Sequence, residues 1–133
     1  MERNFENTYC GLFDSRSRRG SAVRSEVRRV ECFELELFLD ESGTSYLEGK
    51  AYAVKRGMIL CAKPGQMRFS EFPIRCHFIR IQPGEERLDS ILASLPNVSY
   101  LSENEDCENL LALMKKLGDA LWEAAAKGTR YAF

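Results

Sequence analysis

Little in this sequence is equipped for catalysis or for holding a metal. It has one histidine, His77, and a lone imidazole needs a neighbouring nucleophile or carboxylate before it can do acid–base work. Nothing in the sequence places such a group beside it. No Ser-His-Asp constellation, phosphate-binding glycine loop or paired catalytic carboxylates can be argued. Five cysteines are present, Cys10, Cys32, Cys61, Cys76 and Cys107, but they are widely scattered and form no CxxC pair. That excludes a zinc ribbon and a thioredoxin-like redox motif, and suits buried single thiols in a reducing compartment. No run of about 18 apolar residues exists to cross a membrane, and the opening MERNFENTYCG lacks the apolar core of a signal peptide. The expectation is a cytoplasmic protein with no membrane partner. A surplus of charge is also missing: Lys and Arg number 19 against 20 Asp and Glu, so there is no electrostatic footprint for nucleic acid.

What is present is an ordinary globule. The 133 residues suit one domain, and 44% hydrophobic with 29% charged residues suits a soluble one. Its texture changes along the chain. Residues 1–29 are polar and arginine-rich (Arg16, Arg18, Arg19, Arg24, Arg28, Arg29) and read as a solvated arm, with a phosphate-contacting arm as the alternative. Residues 30–83 read as strands and turns. In Cys32–Leu39, Phe33, Leu35, Leu37 and Leu39 alternate with Cys32, Glu34, Glu36 and Phe38, the period of a two-faced strand. Further strands are predicted at Thr44–Leu47, Lys50–Val54, Met58–Ala62, Met67–Phe72 and Ile74–Ile81, with turns at Glu41-Ser42-Gly43, Glu48-Gly49, Lys55-Arg56-Gly57 and Pro64-Gly65. Short strands at this spacing predict a sandwich or barrel.

After Pro83-Gly84 the period becomes helical over 84–127. Leu88, Ile91, Leu92 and Leu95 share one helix face, and Pro96 ends it. A second helix is predicted from about Asn104 to about Ala126, with Ser102 or Asn104 as its cap and an apolar stripe of Leu110, Leu113, Met114, Leu117 and Leu121. That stripe packs either on its own barrel or on the same helix of a second chain. Residues 128–133 are a short tail.

The segment GKAYAVKRGMILCAKPGQMRF, residues 49–69, followed by IRCHFIRIQP and then by LDSILASLPNVSYL, resembles the N-terminal ligand-binding and dimerisation domain of AraC-type transcription regulators. The resemblance spans roughly residues 25–125. It implies a fold that is mainly β with C-terminal α, a cupin-like jelly-roll barrel followed by two helices. It also implies where cupin metal ligands would stand. The glutamate of the first motif falls at Glu36, spaced as expected from Gly43, but its two histidines fall at Val30 and Cys32. The histidine of the second motif, counted from Gly57, falls at Arg68. Several convergent ligands are needed for a metal, so neither a metal nor another cofactor is expected.

If those positions meet inside the barrel, Glu36 and Arg68 should lie close together, since a guanidinium fork donates bidentately to a carboxylate. The pair either orients a polar ligand or is a structural ion pair. Parity puts Cys32, Glu34, Glu36 and Phe38 on the inward face of their strand, with Cys76 and Phe78 opposite and His77 pointing away. The candidate ligand-binding set is therefore Glu34, Glu36, Phe38, Tyr52, Arg68, Cys76 and Phe78, and an ordinary barrel core would look similar. Tyr46 and Cys61 are further positions of open facing.

The expected function is effector sensing and homodimerisation within a regulator, not catalysis. DNA would be contacted only through a helix-turn-helix domain outside this chain, making the chain a fragment of a longer regulator. The alternatives are a stand-alone metal-free small cupin, either a sugar-binding protein or an isomerase, and a module that only dimerises. The effector's identity is open: Glu34 and Glu36 favour hydroxyls or an amine, Arg68 a carboxylate.

Overall fold

The alternating stretch FELELF forms a strand buried on both faces, which makes it the centre of a sheet. The computed structural model describes residues 8–17 and 23–101. The strands are β1 (Thr8–Asp14), β2 (Arg28–Arg29), β3 (Phe33–Phe38), β4 (Thr44–Leu47), β5 (Lys50–Ala53), β6 (Met58–Ala62), β7 (Met67–Glu71), β8 (Arg75–Ile81) and β9 (Val98–Tyr100), with helix α1 at Glu86–Ser94. They build two antiparallel sheets, ordered β1-β8-β3-β6-β9 and β2-β7-β4-β5. The pairing is nested: β4 pairs β5, β3 pairs β6, β2 pairs β7 and β1 pairs β8.

The two sheets pack face to face around one core. Phe38 and Leu60 come from the first sheet and Leu47 from the second, joined by Val54, Met58, Ile74 and Cys76. Phe38, Met58 and Leu60 are fully buried, and each such side chain contributes about 1.5–3 kcal/mol relative to exposure. The predicted strands within 30–83 are found with ends shifted by one residue at most. Tight turns hold them in register. At Gly43 the chain has φ +78°, and an added Cβ would stand 2.5 Å from the Pro73 carbonyl oxygen, so only glycine fits there.

Two expectations need correction. The segment 1–29 is not simply a solvated arm, because Thr8–Asp14 forms the edge strand β1 along the whole of β8 and Arg28–Arg29 pairs with β7. Its alternation is interrupted by Gly11. In the structure a Cβ at Gly11 would meet the Phe78 ring at 3.2 Å, so the missing side chain makes room for that ring. The segment after Pro83 is not purely helical either. Among the described residues after Pro83 only α1 is helical, and Val98–Tyr100 instead adds a strand to the edge of β6.

Helix α1 begins at Glu85, whose carboxylate accepts from the Leu88 amide at 2.6 Å, an N-cap bond. At its other end Lys63 Nζ donates to the Ala93 carbonyl at 2.8 Å and to that of Leu95. A cation there also suits the helix dipole. Of the predicted stripe only Leu92 is buried, while Leu88 and Ile91 are exposed. A helix of 9 residues touches its sheet along one short line. The second predicted helix, with Leu110, Leu113, Met114, Leu117 and Leu121, lies outside the described residues, as does the tail.

Candidate functional site: an arginine–glutamate network between the sheets

Successive inward positions on β3 place Glu34 and Glu36 on the same face, and Arg68 approaches them from β7 in the opposite sheet. Arg68 Nη2 donates to Glu36 Oε1 at 2.7 Å and Nη1 to Glu34 Oε1 at 2.9 Å. Arg28, which sits opposite Arg68 in the β2–β7 register, grips Glu34 with a bidentate fork at 2.8 and 2.7 Å. Arg80, opposite Glu34 in the β3–β8 register, brings its Nε within 3.7 Å of Glu34 Oε2, too far for a hydrogen bond. Its guanidinium instead lies 5.3 Å from the centre of the Phe78 ring, a cation–π arrangement. Behind Arg68, Ser45 Oγ stands 3.5 Å from Nη2 and 3.4 Å from Ser70 Oγ.

Arg68 and Glu34 are both buried, at 4% and 3% exposure. Such charges persist out of water only when well partnered. Burial alone would disfavour the Arg68 charge, but Glu36 and Glu34 outweigh it and hold the guanidinium protonated. At Glu34 burial works to raise the pKa, yet the hydrogen bonds from Arg28 and the charges of Arg68, Arg28 and Arg80 prevail and hold it below the ordinary glutamate value. Burial, reinforced by the Glu36 charge, pushes the Cys76 thiol up, so Cys76 stays a neutral thiol and not a nucleophile.

Beside this network lies a cavity of about 310 Å³. Arg28, Glu36, Arg68 and Arg80 form its charged side, and Phe13, Phe69, Phe72 and Phe78 are among its aromatic lining. A second space of about 420 Å³ includes Tyr9, Glu31, Cys32 and Glu34, and shares Arg28 and Arg80 with the first. Those two arginines therefore form a partition between the spaces, tied to Glu34.

Of the residues expected to line a ligand site, Glu36, Arg68, Cys76 and Phe78 line the first cavity. Glu34 lines the second while anchoring the network. Phe38 and Tyr52 line neither: Phe38 is part of the core and Tyr52 packs against it. Both lie on the inner faces of their strands, but there the space is filled by side chains. Tyr46 turns outward, stacked on Phe69 with ring centres 4.2 Å apart, and donates to Glu71 at 2.7 Å. Cys61 shares a register row with Leu35 on the face away from the cavity, near the Leu92 carbonyl. His77 lies in the row of Leu12 and Leu37, again away from it.

The sequence reading missed Arg28 and Arg80. Arg80 was within reach, since the Cys76, Phe78 parity continues to it. Arg28 was hidden in a basic run that looked uniformly solvated, and no local signal separates it from Arg29, which bonds the Gly65 carbonyl. Phe13 and Phe72, which flank each other with ring centres 5.9 Å apart, belong to segments read as arm and as strand end.

Among the described residues no three His, Cys, Asp or Glu side chains gather as a metal-holding group, and the Glu36 carboxylate is bound by a guanidinium. No helix of the described residues is long and apolar enough to cross a membrane. In comparisons with known proteins, no family model matches the chain and no curated protein matches it significantly.

Proposed function

We propose that this chain is the effector-sensing and dimerisation module of an AraC-type transcription regulator, built as a cupin-like jelly roll. The observation that carries the reading is the cavity between the sheets, walled by aromatic rings and by the Arg68–Glu36 pair. That pair stands at the two positions where the resemblance would put metal ligands. A guanidinium on that carboxylate favours holding a polar small molecule over metal chemistry. The nested strand pairing supports the jelly-roll assignment. Cytoplasmic location and the absence of catalysis belong to the same reading. DNA contact would fall to a helix-turn-helix domain beyond these 133 residues.

Binding in the cavity would bias the packing of the sheets, the N-terminal segment and the helical region, and so the presentation of an attached DNA-binding domain. Homodimerisation is assigned to the stripe Leu110, Leu113, Met114, Leu117 and Leu121, on its sequence pattern and the resemblance. The test is to fuse the whole chain to a heterologous DNA-binding domain that represses a reporter only as a dimer. Repression, lost in the Leu113→Glu/Leu117→Glu double variant, is the expected result. A fusion that is well expressed but inert, together with a monomeric mass in solution, would overturn the reading.

A further inference from the structure

The two glutamates in the network are already occupied, and this resolves which ligand the site suits. Glu36 is bound to Arg68, and Glu34 is bound to Arg28 and Arg68. Three guanidiniums, on Arg28, Arg68 and Arg80, therefore face two carboxylates, leaving one positive charge uncompensated within the network. The surplus has a location. Arg80 makes no side-chain hydrogen bond among the described residues, and the carboxylate it pairs with is Glu34 at 3.7 Å. Its head borders both spaces and its side chain is 45% exposed, so it can be reached. An amine entering the cavity would meet three cations and one carboxylate that is already bonded. A neutral polyol would leave the surplus uncompensated and would place its hydroxyls against phenylalanine rings.

Resting on the sensing reading above, we infer that the cavity binds a small organic anion: a carboxylate carried on an apolar or aromatic body. Arg80, with Arg28 beside it, takes the carboxylate, and Phe13, Phe72 and Phe78 receive the body. A guanidinium left without a hydrogen-bond acceptor at the edge of an aromatic pocket is the complement of such a molecule. The volume of about 310 Å³ accommodates one or two fused rings.

Thermal unfolding of the full chain with 2-naphthoate or benzoate, against benzamide, benzylamine and glucose, tests the assignment. The carboxylates should raise Tm saturably by several degrees at concentrations well above their Kd, with benzamide, benzylamine and glucose leaving it unchanged. The Arg80→Gln variant should weaken carboxylate binding by roughly tenfold or more, in line with the loss of one charge-assisted hydrogen bond. Arg80→Lys, which keeps the charge and controls for folding, should retain a part of it. Equal shifts from benzamide, shifts only from the amine or the sugar, or carboxylate binding undiminished in Arg80→Gln would each overturn the inference. So would the absence of any shift with the carboxylates. If any of these results came with a fusion that still represses as a dimer, the anion assignment alone would fall; an inert fusion would remove the underlying reading as well.

Discussion

Arg68 Nη2 and Glu36 Oε1 are 2.7 Å apart although their residues belong to opposite sheets. The contact spans the space between the layers, and with the Arg68–Glu34 bond at 2.9 Å and the bidentate Arg28–Glu34 pair it forms a polar tie between them. Replacing Arg68 by Met should cost about 3–5 kcal/mol, because two carboxylates lose a partner in a poorly solvated place. Urea denaturation measures the change. In the Arg68→Met/Glu36→Leu double variant part of that loss should return, since the second substitution removes a charge the first one stranded. A loss below about 1 kcal/mol for Arg68→Met would assign the tie a minor role.

The same network predicts an acid-labile fold. Glu34 is held below its ordinary pKa in the folded chain, so its stabilising contribution is complete above the unfolded value of about 4.3. That contribution fades as pH falls through the lower folded value. Asp40, hydrogen-bonded by Arg75 at 2.9 Å and likewise lowered, acts in the same direction from the surface. Glu34→Gln should therefore be markedly less stable than the parent near about pH 7, and the gap should narrow in acid as the pH falls through the lowered folded value and the parent carboxyl takes up its proton. Denaturation curves across that range check it; a gap independent of pH would contradict it.

Gly43 should tolerate no side chain. Its φ of +78° disfavours an L residue, and a Cβ would stand 2.5 Å and 2.6 Å from the Pro73 and Glu71 carbonyl oxygens. Gly65 has φ +93° but nothing within 4 Å of a Cβ. Gly43→Ala should then lose about 1–3 kcal/mol more than Gly65→Ala, the excess reporting the clash with the two carbonyls and with the Ile74 side chain. Paired thermal melts of the two variants give the difference directly, and equal losses would refute it.

The strands from Phe33 to Ile81 were legible because two-residue alternation or a short apolar run, bounded by turn chemistry, marks each of them. The Glu36–Arg68 approach was legible through the resemblance, and its neighbour Glu34 through parity. What stayed hidden depends on pairing across the chain. Thr8–Asp14 becomes a strand only because β8 offers it an edge, and Val98–Tyr100 only because β6 does. Three-residue and glycine-broken segments carry too little periodicity to announce that. Arg28 acquires its role from Glu34, six positions along the chain and reached only by a turn, so its neighbours in sequence say nothing of it. Phe38 and Tyr52 show the limit of parity: it reports which face a side chain takes, not whether the space in front of it is empty.

The ring of Phe78 leans into the gap left at Gly11, 3.2 Å from where a methyl group would stand, and the same ring is part of the cavity wall. The wall of the cavity is thus open to change from the edge strand, by one carbon at residue 11. Because the Arg80 guanidinium lies 5.3 Å from the centre of that ring, a side chain at residue 11 would shift the aromatic wall and the arginine resting on it together.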